Sequence, residues 1–352
     1  MILTLYALFL PVIIFQFVPI LGWIERKASA LIQNRVGPNK AKIFGFTLGG
    51  FPHLMADAIK FLTKENFVPK NTSYFLYTLA PLLKVLPLFF PFIFIPYIIP
   101  FAYDNKLYSL TIFKSQYSIL YIIIFLEIAI YGIFLAGFTS KSKYSMLGSL
   151  RAAAGMLSFE IGFAFLILSL SLYFNTFDIE EITKAQEHTL LGLIPQWGIV
   201  INPLGFFLFL IVGFIETHRL PFDIPEGESE IVDGFRTEYS GVRFILFLAA
   251  EYIGILLMSA LITTLYFGGG SIGFINTSTL NKIFNPAITA IITFIVFWVK
   301  TLLWCLFFIW TRWTLPRFRY DQLLDFGWKI ILPLSFLNFI TTILLKKDIY
   351  RL

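Results

Sequence analysis

Eight stretches of this chain are long and apolar enough to cross about 30 Å of hydrocarbon as helices. They lie near 2–24, 74–100, 119–138, 150–174, 201–217, 243–267, 286–311 and 327–345. Hydrophobic residues make up 58% of the 352 positions and charged residues only 14%, against about 25% charged in an ordinary soluble domain. The pattern predicts an all-α, polytopic membrane protein of eight transmembrane helices, in a single membrane domain over 1–352. The first stretch has no basic leader and no small-residue cleavage site, so it reads as a retained span. The second carries Pro81, Pro87, Pro91, Pro96 and Pro100, and kinks are expected there, with neighbouring helices or water satisfying the freed carbonyls. The fifth is short and runs straight into an acidic loop, 217–242.

Several chemistries are excluded early. One cysteine, Cys305, rules out a disulfide framework and any multi-cysteine zinc or iron–sulfur site. His53, His188 and His218 are far apart and lack metal-ligand spacing. "FGGGSIG" (267–273) has neither the lysine nor the strand-to-helix context of a phosphate loop. No internal repeat is visible, which leaves an inverted-repeat transporter unsupported.

Eight spans place both termini on one side and loops 1, 3, 5 and 7 on the other. The odd loops and their borders carry seventeen Lys and Arg and the opposite side seven, so the odd loops face inward. The net charge of +6 reflects this asymmetry and implies no nucleic-acid partner. Within the first inner loop, "HLMADAIKFLTKENF" (53–67) alternates apolar and polar residues at helical spacing. It predicts an amphipathic helix at the membrane interface, either functional or simply resting there.

Ionisable side chains inside spans are expensive and mark either local pairs or functional routes. Lys84, Glu127, Glu160, Glu216, Glu251 and Lys300 lie inside the spans or at their edges. Counting from Arg151 and Arg243, Glu160 and Glu251 lie about 14 and 12 Å deep at 1.5 Å per residue. "ETHRLPFDIPEGESEIVDGF" (216–235) then adds Asp223, Glu226, Glu228, Glu230 and Asp233 beside Glu216. Together these carboxylates predict a proton or ion route in the inner half of the bilayer. The alternative for each residue alone is a nearby cationic or backbone partner. A second, basic and aromatic set, "ERK" (25–27), "QNRVGPN" (33–39) and "RWTLPRFRYDQ" (312–322), reads on its own as turns and inner-face anchors.

Taken together, "ERK", "QNRVGPN", "ADAIKFLTKE", "YGIFLAGF", "SKYSMLGSLRAAA", "ETHRLPFDIPEGESEIVDGFRTEYSG", "AEY", "VKTLL" and "LPRFRYDQLL" resemble chain 1 of NADH–ubiquinone oxidoreductase, respiratory complex I, whose bacterial counterpart is the H-subunit family. The likeness runs from about Glu25 to Leu324. It implies a membrane subunit with no redox cofactor of its own. NAD and iron–sulfur clusters belong to partner subunits, and ubiquinone is the substrate that enters by a tunnel. Implied partners are the other membrane-arm and quinone-module subunits and membrane lipids. By the same resemblance Glu25, Arg26, Arg35, Arg312 and Arg317 line or border the tunnel, with Arg319 nearby. Asp57, Arg151, Glu160, Glu216, Arg219, Asp223, Glu226, Glu228, Glu230, Glu238 and Glu251 fall on a charged chain coupling quinone reduction to proton translocation. The alternative is the ion-translocating subunit of a related membrane-bound hydrogenase complex.

The sequence departs from the family pattern at His53-Leu54, Gly155, Phe159 and His218, and also at Lys84 and Glu127. The last two carry opposite charge at similar estimated depth, so a structural Lys84–Glu127 bridge is expected, with Lys300 a competitor for Glu127. Abundant Phe, Ile, Leu and Tyr, with 42 Phe alone, suit an AT-rich organellar genome. They point to the mitochondrial inner membrane with odd loops in the matrix, ahead of a bacterial plasma membrane.

Overall fold

The computed structural model describes residues 2–42, 45–103, 106–190, 194–223, 232–273, 275, 279–281 and 284–349. Its frame is helical. In chain order the helices are α1 (Ile2–Ile32), α2 (Pro52–Thr63), α3 (Tyr74–Phe89), α4 (Ser118–Thr139), α5 (Lys143–Phe174), α6 (Ile179–Ala185), α7 (Gly198–Ile201) and α8 (Pro203–Glu216). After the acidic loop come α9 (Gly241–Tyr266), α10 (Pro286–Thr311), α11 (Tyr320–Phe326) and α12 (Leu332–Ile349). Two short antiparallel hairpins, Phe101–Tyr103 with Lys106–Tyr108 and Thr189–Leu190 with Ile194–Pro195, are the only paired strands among the described residues.

Six described helical stretches have the length and apolar character to cross a membrane: Tyr74–Ile93, Ser118–Thr139, Lys143–Phe174, Gly241–Tyr266, Pro286–Thr311 and Tyr320–Lys346. The first expected span lies in α1, which is 31 residues long and continues past it through Glu25. The fifth differs from expectation. α8 has 14 residues, about 21 Å at the helical rise, which is short of the hydrocarbon thickness. The break is local: Asn202 leaves helical geometry, its side chain accepts from Gly205 N at 2.8 Å, and Pro203 opens the new helix.

The second span is also shorter than 74–100. α3 ends at Phe89 and a 3₁₀ turn carries the chain only to Ile93. Pro91, Pro96 and Pro100 lack the amide donors a helix needs. Phe92, Phe94, Ile95, Tyr97 and Ile98 nonetheless stay buried, so the apolar run packs as irregular chain within the bundle. α2 covers Pro52–Thr63 instead of 53–67, because Ser240 holds the next residues extended: its Oγ accepts from Phe67 N at 3.1 Å and donates to Glu65 O at 3.0 Å. Met55, Ile59 and Leu62 of α2 are exposed, as the apolar face of an interfacial helix is. His53 fastens the preceding loop, its Nε2 accepting from the backbone N–H groups of Lys40 and Ala41.

Close helix contacts set the heights of the buried charges. A Cβ on Gly132 would stand 2.5 Å from the Lys84 backbone nitrogen, so α3 and α4 touch backbone to backbone there. At the end of the bundle opposite the α8–α9 loop, Gln186 ties three segments together: Nε2 donates to Thr264 O, and Oε1 accepts from Gly198 N and Gly268 N. Beneath it Phe206, Phe209, Tyr266, Phe267 and Trp304 form an aromatic cluster with centroids 5.2 to 5.7 Å apart.

Candidate functional site

The site begins where α8 ends. Thr217 N still bonds to Gly213 O, but His218 turns into left-handed backbone at φ +50°, and Arg219 N reaches back to Phe214 O at 3.1 Å. This turn puts His218 and Arg219 inside the bundle, 4% and 5% exposed. The chain continues against the exit of α10: Phe318 N donates to Pro221 O, and the Phe222 and Phe318 rings stack at 5.2 Å. "RLPFD" and "LPRFRYD", nearly a hundred residues apart, are thus neighbours.

A buried charge, once formed, needs close opposite charge and full hydrogen bonding. Glu25 supplies the first hub. Arg219 Nη1 lies 2.9 and 2.8 Å from its two carboxylate oxygens, and Arg312 donates to the same carboxylate. Tyr252 stands beside the pair, with the Arg219 guanidinium 4.8 Å from its ring centroid. Arg317 bonds the Asp223 carboxylate at 2.8 Å and also its backbone carbonyl. Arg236 bridges Glu251 at 2.5 Å and Asp233 at 3.1 Å. Arg219, Asp223, Arg236, Glu251, Tyr252, Arg312 and Arg317 surround a cavity of about 370 Å³. Burial, with a further push from Glu251, lifts the Asp223 carboxyl to about 6 against the pull of Arg317, Arg236 and Arg312.

A second cluster lies deeper. Lys84, Glu216, Thr217, His218 and Glu251 line a narrow cavity, and Glu127 lies beside Glu160 with Glu216 close by. Glu251 therefore faces both cavities. Lys84 is 5% exposed and acts electrostatically on Glu216 and His218. The expected Lys84–Glu127 bridge needs correction. The Gly132 contact sets the Lys84 backbone five residues along α4 from Glu127, about 7 Å lower, and the charged neighbours of Glu127 are Glu160 and Glu216. Lys300 is no competitor either. Its ammonium donates to Phe267 O, Gly269 O and Ser271 O at 2.7, 3.1 and 2.6 Å, beneath Trp197.

Of the residues named from sequence, Arg219, Asp223, Glu251, Arg312 and Arg317 come together around the larger cavity, and Glu25 stands behind it, bonded to Arg219 and Arg312. Glu216 joins Glu251 at the deeper one, and Glu160 lies close to Glu216 without lining that cavity. Arg151 lies over Tyr320, 5.6 Å from the ring centroid, and lines a third small cavity beside His218. Arg26 and Asp57 pair with each other at 2.5 Å on an exposed surface. Arg35 is exposed and bonds Gln33, and Arg319 pairs with Asp321; neither lines the larger cavity. Glu238 presents its backbone carbonyl to Tyr77 Oη at 2.6 Å. Glu226, Glu228 and Glu230 lie outside the described residues. Arg236 and Tyr252 escaped the sequence reading, although "DGFRTEYSG" and "AEY" contained them.

The NADH dehydrogenase family model matches residues 4–343. The NADH-quinone oxidoreductase H subunit of Bdellovibrio bacteriovorus is 38% identical over 97% of this chain and 94% of its own. The first of the H subunits of Cytophaga hutchinsonii is 37% identical over 90% and 89%, and subunit 8 of the Rhodothermus marinus enzyme 37% over 91% and 90%. These relatives are bacterial and give no support to a mitochondrial location. The chain belongs to the NADH dehydrogenase family, as the membrane chain 1, or H subunit, of an NADH-quinone oxidoreductase.

Proposed function

We propose that this subunit forms the passage by which quinone reaches its reduction site, and that it hands the resulting change of charge to carboxylates in the inner half of the bilayer. The observation that carries the reading is the position of Glu251. It is paired with Arg236 and lines both the arginine-rich cavity and the deeper cavity shared with Glu216 and Lys84. A change of charge in the larger cavity alters the pairing of Glu251, and through it the proton affinity of Glu216. Glu25, Arg219 and Arg312 hold the wall of the passage, and Arg317 with Asp223 its inner rim. Arg26, Asp57 and Arg35 belong to its outer approach.

In this reading the whole chain is one membrane domain, with odd loops facing the cytoplasm or matrix. Electrons arrive through NAD and iron–sulfur chemistry in partner subunits, and this chain contributes position and charge alone. The names of the relatives favour this over the hydrogenase alternative. An organellar inner membrane rests on residue bias alone.

Glu251→Gln in the whole complex tests the proposal. Quinone-linked NADH oxidation should fall about tenfold or more, while NADH oxidation by an artificial acceptor stays at the parental rate. Parental quinone turnover with parental proton pumping would overturn it; equal loss of both activities would place Glu251 in assembly instead.

A further inference from the structure

His218 is buried, and its Nε2 has no hydrogen-bond partner among the described residues. A polar nitrogen in that position is costly unless something satisfies it, and water is the usual means. The ring stands in the walls of two small cavities. One is bounded by Lys84, Glu216 and Glu251, the other by Arg151, Gly155, Phe222 and Leu323. Each has room of about 10 Å³ for the centre of a water molecule, which is about one water. The second cavity owes part of its room to Gly155, since the nearest atom to a Cβ there would be Leu323 Cδ2 at 3.4 Å. Arg151, nearer the Lys143 end of α5 than the ring is, puts this cavity on the inward side of the ring.

Charges reach this ring from every side. α3 contributes Lys84, α5 contributes Arg151 with Glu160 beside Glu216, and α9 contributes Glu251. The turn Gly234–Arg236 contributes Arg236, and Glu216 and Arg219 lie on the ring's own segment. Burial first, then Lys84 and Arg236, hold His218 well below the usual histidine range. The imidazole is therefore neutral, the form in which one nitrogen accepts a proton and the other releases one.

We propose that His218 is a proton relay that loads Glu216 from the inner surface, through one water on each side of its ring. The proposal rests on the reading of Glu216 and Glu251 as proton carriers linked to quinone turnover. It adds a way in for protons that bypasses the arginine-lined cavity. The water on the Arg151 side takes a proton from the inner surface as it gives one to a ring nitrogen, and the other nitrogen gives its proton to the water beside Glu216. That water passes a proton to the carboxylate, and a flip of the ring restores the first tautomer. One proton moves and no charge is left on the imidazole.

The test uses the intact complex in sealed vesicles. His218→Ala should lower quinone-linked turnover and proton uptake about tenfold or more while sparing NADH oxidation by an artificial acceptor. Added imidazole should restore turnover, and restore it more as pH rises and more of the imidazole is neutral. Parental pumping by His218→Ala, or a loss that imidazole leaves unchanged at every pH, would overturn the relay. If His218→Ala fails to assemble, Gly155→Ala decides, because Gly155 lines the inner cavity and its added methyl, 3.4 Å from Leu323 Cδ2, takes up room there. A several-fold slower uptake supports the relay and parental uptake overturns it. Glu216→Gln separates the two levels: normal pumping there sinks the carboxylate route itself. A pumping defect in Glu216→Gln with parental pumping in both His218→Ala and Gly155→Ala sinks only the relay.

Discussion

Asp223 follows the turn at the inner end of α8, and its carboxyl titrates at about 6 because burial and Glu251 outweigh Arg317, Arg236 and Arg312. An unfolded aspartate titrates near about 3.9. With the folded value the higher one, the contribution to stability is complete below about pH 4 and is lost as pH rises through about 6. The full difference is on the order of 2–3 kcal/mol. Asp223→Asn should remove that dependence, so the thermal midpoint of the purified complex should fall less between about pH 4 and 7 than in the parent. Arg317→Gln, which deletes the strongest opposing charge, should shift the window upward; an unmoved window would show that the Arg317 pair does not set it. Asp223 and Arg317 were legible from "RLPFD" and "LPRFRYD". Arg236 was not, because a loop arginine looks the same whether it anchors the chain to the surface or neutralises a buried glutamate. Only the turn at Gly234–Arg236, which points the side chain at Glu251, distinguishes the two.

At the scale of elements, hydropathy located the helices well and their ends less well. α4, α9 and α10 match their apolar runs closely, since burial and length act together there. α3 stops early, because a window average counts Pro91, Pro96 and Pro100 as apolar while helix chemistry counts their missing donors. The outer loops offered no sequence signal at all. Their order comes from single polar side chains, Gln186 and Lys300, that satisfy carbonyls and amides at the ends of α9 and in the loop after it. Lys300→Met keeps the length and the apolar stem but leaves Phe267 O, Gly269 O and Ser271 O without their donor. Each unsatisfied buried carbonyl costs about 1–3 kcal/mol, so assembled complex should be recovered in markedly lower yield. NADH oxidation by an artificial acceptor in the fraction that does assemble should be normal. A parental yield of Lys300→Met would show that water replaces the ammonium without loss.

For the molecule as a whole, the two charge clusters share one end of the helix bundle, while the opposite end is closed by aromatic packing around Phe206, Tyr266 and Trp304. Along the bundle from the α8–α9 loop, Glu25, Asp223 and Glu251 come before Glu216, Glu160 and Glu127. The acidic loop between α8 and α9 joins these levels in sequence, with Glu226, Glu228 and Glu230 outside the described residues. If the loop couples the quinone passage to the inner carboxylates, Glu226→Gln or Glu228→Gln should impair quinone-linked turnover several-fold. NADH oxidation by an artificial acceptor should stay nearly intact. The two measurements must be made on the same membranes, because a subunit that fails to assemble loses both together. Loss confined to the quinone-linked reaction assigns the loop to coupling; equal loss assigns it to holding the complex together, and no loss removes it from the route.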